Sequence, residues 1–395
     1  DSDLPGDNFV RVVREDPERR GLLYGGTEGG MFVSFDDGAH WQTMDLNLPP
    51  VPITDLTIRQ GNLVAATQGR GFWVLDNLSV VRQSSADLAR KAVHLFTPEP
   101  TTMMRTGGRR GDDEGANPPS GAVLSYYIAD EQEGPLTIEI RDDEGGLVRS
   151  YSSEEGDFER CIVGGLDQRS SFEVKYPKHE EGLNQWAWDM RFTGLNCIED
   201  IKLFAGFGGA TVTPGTYRVT ISVGGAESSA DLVLLPDPRV EASPEDYEFL
   251  AARRREATVM LNDLLTSLAA ARKARTQING LMADYPEDDT LAAAGESAVA
   301  RLTEWENKVT QTNYVTLEDE DSMPPMLDVH IRHVLDVIDR AGAPVSEGSL
   351  KRLTDLDYEW QDRKSELQAI RNTDLAAVNE WARTNGVLHV ADPVE

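Results

Sequence analysis

The chain has 395 residues, 39% of them hydrophobic, and carries 68 Asp and Glu against 38 Lys and Arg, a formal charge of −30. That length predicts two or three domains, each able to bury a core. The acidic surplus argues against nucleic acid or an anionic membrane surface as partner, since both need clustered Lys and Arg. No run approaches the roughly 18 uninterrupted apolar residues of a membrane span.

The first residue is Asp1 and no charged-then-apolar leader follows. The expectation is a chain whose leader was removed, or a piece of something longer, which leaves secretion open. Acidic runs occur at 112–114, 142–144, 287–289 and 318–321. Their expected role is a solvated surface, with calcium as the alternative, although none shows the D-x-D-x-D-G…E spacing of a dedicated calcium loop. There are two cysteines, Cys161 and Cys197, too few for a disulfide scaffold or a four-cysteine zinc site. They can form one disulfide in an oxidising compartment or stay as two buried thiols.

Residues 1–80 read as consecutive short strands. Alternation of apolar and polar residues at 9–14 and 30–35 brackets a run at 22–26, and a fourth strand follows at 40–46. The pattern then restarts at 53–59, 62–67 and 71–75, separated by Asp, Pro and Gly. Strand–turn–strand spacing with a repeat near 40 to 45 residues is the pattern of propeller blades. One four-stranded blade and three strands of a second are expected. A blade buries its faces only against neighbouring blades, and a ring needs at least about four, so further blades of the same protein are the expected partners.

Residues 81–120 read as a connector, passing from the apolar patch 93–96 into Gly107, Gly108, Arg109, Arg110 and Asn117-Pro118-Pro119. Residues 121–238 return to strands joined by Gly-rich turns. About seven strands in some 115 residues predict a small immunoglobulin- or fibronectin-like sandwich, with Trp186 and Trp188 on one face as core residues. After Pro236-Asp237-Pro238 the period changes. Ser243-Pro244-Glu245-Asp246 has the form of an N-cap with Pro at the first helical position. Apolar residues at helical spacing continue to Met282, about 60 Å of helix. Further helices are expected over 291–310, 326–340 and 346–384, giving an antiparallel bundle over 243–390. The fold class is therefore multidomain β plus α: partial propeller blades, a β-sandwich and a C-terminal helical bundle.

The chain contains no nucleophile elbow, Walker loop, H-E-x-x-H or paired-cysteine metal motif. His330 and His333, spaced i, i+3 on one predicted helix beside Asp328, can share a metal only if a third ligand comes from elsewhere. Glu28, Arg70 and Asp76 are candidates for a ligand face, as polar residues placed near predicted loops. Glycosidases need two carboxylates roughly 5 to 10 Å apart, and in propellers these come from different blades, so no catalytic pair can be assigned.

Ser34-Phe35-Asp36-Asp37-Gly38-Ala39-His40-Trp41 has the form S-x-D-x-G-x-x-W. Ser34 and Asp36 suit hydrogen bonding to a turn backbone, Gly38 a permissive φ, and Trp41 packing on the hairpin. The motif resembles the Asp-box, or bacterial neuraminidase repeat, of sialidase-like and sortilin-type propellers, with His40 where Thr is usual. In that superfamily the box is a structural turn away from the ligand face. The run Ala66-Thr67-Gln68-Gly69-Arg70-Gly71-Phe72-Trp73-Val74-Leu75-Asp76 also resembles the last blade of large bacterial proteins labelled as BNR-repeat glycosyl hydrolases or sortilin-like proteins. Gln68 stands where that family has His. Pro214-Gly215-Thr216-Tyr217, Trp188-Asp189-Met190-Arg191 and Thr373-Asp374-Leu375 extend the resemblance along nearly the whole chain. It implies an extracytoplasmic protein whose region here binds a glycan or peptide, or serves assembly, without its own catalytic residues. The alternative is part of a glycoside hydrolase whose carboxylates lie on other blades.

Overall fold

A computed structural model describes residues 9–44, 46–104, 119–129, 133–154, 156, 176–198, 201, 203, 206–314, 319–388 and 390. The chain divides into two compact units. One comprises residues 1–145, 177–189 and 216–235, the other residues 146–176, 190–215 and 236–395. Among the described residues, 146–154 and those of 190–215 fall in the unit that holds the helices.

The first unit begins with two small antiparallel sheets. The first holds β1 (Val10–Glu15), β2 (Leu23–Thr27), β3 (Met31–Ser34) and β4 (Gln42–Thr43) in sequential order. The second holds β5 (Ile53–Arg59), β6 (Asn62–Thr67) and β7 (Phe72–Leu75), also in sequence. The two are structural repeats. Val10 and Val12 pair with Thr27 and Gly26, skipping Arg11; Ile53 and Asp55 pair with Thr67 and Ala66, skipping Thr54. Thr27 closes the β2–β3 turn by donating from N and Oγ1 to the Gly30 carbonyl, at 2.9 and 3.0 Å. Thr67 closes the β6–β7 turn on the Gly71 carbonyl in the same way, at 3.0 and 2.7 Å.

The repeats pack on each other. Val12, Tyr24, Met31 and Val33 of the first sheet share one core with Ile53, Leu56, Leu63 and Ala65 of the second. Each large apolar side chain removed from water here contributes about 1.5–3 kcal/mol, which is the main reason two such small sheets hold together. Arg14 fixes the stacking by donating to the Leu56 carbonyl at 2.9 Å and to Asp55 at 2.7 Å.

Beyond β7 come a short helix, α1 (Ser79–Gln83), and the strands β8 (Val93–Leu95) and β9 (Thr101–Thr102). The described part of the expected connector is therefore not simply a loop: β8 pairs with the next strand and β9 lies parallel to a later one. The remaining strands are β10 (Ala122–Ile128), β11 (Thr137–Arg141), β12 (Leu147–Ser152), β13 (Gly182–Trp188), β14 (Gly215–Val223) and β15 (Ala226–Leu235). In this unit one sheet has the order β13-β10-β8, and β11-β14-β15-β9 run side by side in another. Their inward positions alternate: Leu124, Tyr126 and Ile128 on β10, and Tyr217, Val219 and Ile221 on β14, are all buried. Trp188 meets Tyr217 edge to face at 5.4 Å, and the Leu95 N–H donates to Ser228 Oγ at 2.9 Å, linking the two sheets.

The second unit is built on helices α2 (Pro244–Asp284), α3 (Asp289–Val309), α4 (Leu327–Ala341), α5 (Glu347–Ile370) and α6 (Ala376–Thr384). At the head of α2 the capping box forms as the sequence predicts. Asp246 N–H donates to Ser243 Oγ at 3.2 Å, and the Ser243 N–H to Asp246 Oδ2 at 2.8 Å. The expected single helix over 346–384 is interrupted by one π turn, Arg371–Leu375, between α5 and α6. Partners climb α3 while descending α5 and α6: Asp288 with Trp381, Arg301 with Asp374, and Trp305 with the Arg363 carbonyl. The packing is thus antiparallel. Asp339 on α4 holds residues 190–215 of this unit, accepting from Arg191, the Thr211 N–H and Oγ1, and pairing with Arg254.

Candidate functional site

The Asp-box turn links β3 to β4. Asp37 and Gly38 both take left-handed backbone, φ 59° and 85°, and the Asp37 N–H reaches the Gly21 carbonyl at 2.9 Å. Ser34 Oγ accepts the Gly38 N–H at 2.9 Å and donates to Asp36 Oδ1 at 2.9 Å. Asp36 Oδ1 also accepts the His40 N–H at 2.8 Å, and Oδ2 meets His40 Nδ1 at 2.6 Å. The His40 backbone N–H, and then its ring, hold the Asp36 carboxyl down at about 2. Both oxygens are therefore committed to the turn. Trp41 donates from Nε1 to the Gly38 carbonyl at 3.1 Å and lays its ring on Gly25, where a Cβ would stand 2.9 Å from the indole. This constellation is a fastener for the β3–β4 connection. His40 fills the carboxylate's remaining capacity, which explains how the turn accommodates it.

The other candidates fall at two ends of the repeats. Glu28 and Arg70 sit in equivalent turns, β2–β3 and β6–β7. Asp76 follows β7, so it and Arg70 are at opposite ends of a four-residue strand, about 13 Å long. Glu28 pairs with Arg11 at 2.5 Å, while the Arg70 and Asp76 side chains are exposed. Asp55 pairs with Arg14, and Asp36 with His40, so three of the repeats' acids already have basic partners.

Sequence reasoning gave no role to Asp16, which the structure makes the central polar residue of this region. Burial pushes its carboxyl up. The backbone N–H groups of Glu18 and Arg19, the Arg82 guanidinium and the Tyr24 hydroxyl outweigh that and leave it below the ordinary carboxylate range. The Asp-Pro following β1 is the one local signal that a turn-locking carboxylate stood there.

In the helical unit His333 is exposed and His330 half-buried, burial and then Arg352 lowering the His330 pKa. Among the described residues no three His, Cys, Asp or Glu side chains come together as a metal site. The 287–289 acidic run is partly spent on capping: Asp288 accepts the Leu291 N–H at 2.9 Å and Trp381 Nε1 at 2.9 Å. Of the 318–321 run, Asp319 begins a single helical turn, Asp319–Ser322, and the 112–114 run lies outside the described residues. Cys197 is disulfide-bonded, and Cys161 lies outside the described residues.

Asp328 is the polar group of this unit that the sequence placed least well. It is fully buried, its Oδ2 has no hydrogen-bond partner, and burial, partly offset by Thr310, raises its pKa to about 6. Its signal was positional: 328 shares a helical face with buried Ile331, Arg332 and Leu335. A shallow groove of about 450 Å³ between α2 and α5 is lined by Arg253, Glu256, Val259, Asp263, Asp357 and Trp360. Its polar groups largely satisfy one another: Asp263 accepts from Trp360 Nε1 at 3.0 Å and Lys364 at 2.7 Å, and Arg253 pairs with Glu256.

No known family profile matches the chain, and no curated protein matches it. Among solved structures it is similar to the extracellular domain of BT4673 from B. thetaiotaomicron, described once as a one component system and once as a hybrid two component system. Identities are 10% and 9%, with a TM-score of 0.15 in both cases and 58% of this chain covered. The chain spans about a quarter, 26%, of the length of those structures. Among the described residues no helix is long and apolar enough to cross a membrane.

Proposed function

We propose that residues 9–75 are two successive blades of an Asp-box propeller in an extracytoplasmic, sortilin-like bacterial protein. On this reading an immunoglobulin- or fibronectin-like sandwich and a helical bundle follow, and the region serves ligand binding or assembly rather than catalysis. One observation carries the proposal: the two sheets repeat the same register skip and a Thr-closed turn, one residue longer in the second, and one face of the first is covered by the opposite face of the second. Such a unit extends by adding further copies, and further blades of the same protein are the partners it fits.

The binding role is supported over glycoside hydrolysis by the state of the acids. Glu28, Asp36 and Asp55 are held by Arg11, His40 and Arg14, so each of these three carboxylates already has a basic partner. The test is to incubate the full-length protein with a glycan panel and measure both released reducing ends and binding by calorimetry. Binding without release is expected. Release that is abolished by a carboxylate substitution on another blade would establish the hydrolase reading instead.

A further inference from the structure

Beyond α6 the chain turns back on itself. The Val387 N–H reaches the Ala382 carbonyl at 2.9 Å and the Gly386 N–H the Arg383 carbonyl at 3.4 Å. This is a Schellman ending, and Gly386, at φ 68°, is the left-handed residue it requires. By Val390 the reversal is complete. The Asn379 side chain accepts the Val390 N–H at 2.7 Å and donates to its carbonyl at 3.4 Å. The Val390 side chain joins the buried core of the helices. Asn379 thus acts like the edge of a strand, holding one residue by both of its backbone groups.

Asn379 is also one end of a pocket of about 300 Å³, which continues through Ala376, Leu375 and Asn372 to Arg371. These positions share one face of α6 and the π turn. From Asn379 to Arg371 is about 12 Å along the helix axis. The returning chain is already heading that way, since it has passed from the end of α6 back to Asn379. Residues 391–395, Ala-Asp-Pro-Val-Glu, lie outside the described residues and can span about 17 Å. Their composition complements the pocket. Pro393 and Val394 are apolar, as Leu375 and Ala376 are, and Asp392 and Glu395 are opposite in charge to Arg371.

We infer that residues 391–395 form a strap that leaves the Asn379 clamp antiparallel to α6 and fills this pocket. Pro393 and Val394 cover Leu375 and Ala376, and an acidic side chain of the strap meets Arg371. The strap crosses from α6 to the far end of the π turn and so fixes the joint between α5 and α6.

The test uses the full 395-residue chain with two introduced thiols. Cys197 is disulfide-bonded and leaves no competing thiol of its own. Ala376 and Ala377 are both exposed, but Ala377 is turned away from the pocket. Under mild oxidation, Ala376→Cys with Val394→Cys should close an intrachain disulfide at least about tenfold faster than Ala377→Cys with Val394→Cys, as read by peptide mass spectrometry. Equal rates, or no closure, overturn the strap. A disulfide that joins two chains also overturns it, and gives the pocket to the same segment of a second copy. A second readout needs no cysteine. Val394→Asp should speed hydrogen exchange of the amides at 371–375 about tenfold and leave those in the middle of α2 unchanged. Unchanged exchange at 371–375 likewise overturns the strap.

Discussion

At the scale of single residues, two positions show how a side chain's meaning depends on what lies across from it. Gly25 is a glycine within a strand because the Trp41 ring occupies the space its Cβ would take. Gly25→Ala is expected to destabilise the first unit by about 1–3 kcal/mol through overpacking. With Trp41→Ala in the same chain the combined loss should fall below the sum, and a double-mutant cycle on urea midpoints measures that coupling. Asp328 is the second case. Its folded pKa of about 6 lies above that of the unfolded carboxyl, so the stability it contributes is fully present below the unfolded value. That stability is lost as pH rises through about 6. The helical signal should therefore melt more readily at pH 8 than at pH 5. Asp328→Asn should flatten that dependence and raise the stability at pH 8 by about 1–3 kcal/mol. A variant whose midpoint still falls between those pH values would move the cause to another group.

At the scale of elements, charge pairs matter in proportion to their burial. Glu306 on α3 is nearly inaccessible and accepts from Arg272 and Arg275 on α2 at 2.7 and 2.5 Å. Glu306→Ala leaves two part-buried guanidiniums without their carboxylate and is expected to cost about 3 kcal/mol, read from denaturant unfolding of the helical signal. Glu304, on the exposed side of the same helix with Lys308 as i, i+4 partner, should be replaceable by Ala with little change. Capping is a smaller lever. Ser243→Ala removes one arm of the α2 capping box and should cost about 1 kcal/mol, visible as faster exchange in the first turn. The π turn at Arg371–Leu375 is held from outside: Asp374 accepts from Ser297 and Arg301 on α3.

At the scale of the whole molecule, the acidic surplus dominates the electrostatics. Exposed ion pairs contribute about 0–1 kcal/mol each and weaken in salt, whereas a formal −30 imposes repulsion on every exposed carboxylate. Raising NaCl from about 0.05 M to about 0.5 M should therefore increase Tm, because the shorter screening length removes more repulsion than attraction. A falling Tm in differential scanning calorimetry would show that the local pairs outweigh the net charge.

What the sequence determined by itself is whatever depends on near neighbours. Strand alternation and turn residues set out the two repeats. The 3.6-residue period set out the four main helices to within a few residues, because both periods are local. The S-x-D-x-G-x-x-W motif was legible for the same reason: every polar bond of that turn from Ser34 and Asp36 closes within four residues. The tertiary structure decided what depends on distant partners. Two- and three-residue strands such as Thr101–Thr102 and Val93–Leu95 are too short to show a period, and only β15 and β10 make them strands. Asp16, Asp328 and Asp339 look like any other acid in the chain until Arg82, Thr310 and Arg254 are brought against them from far along the sequence.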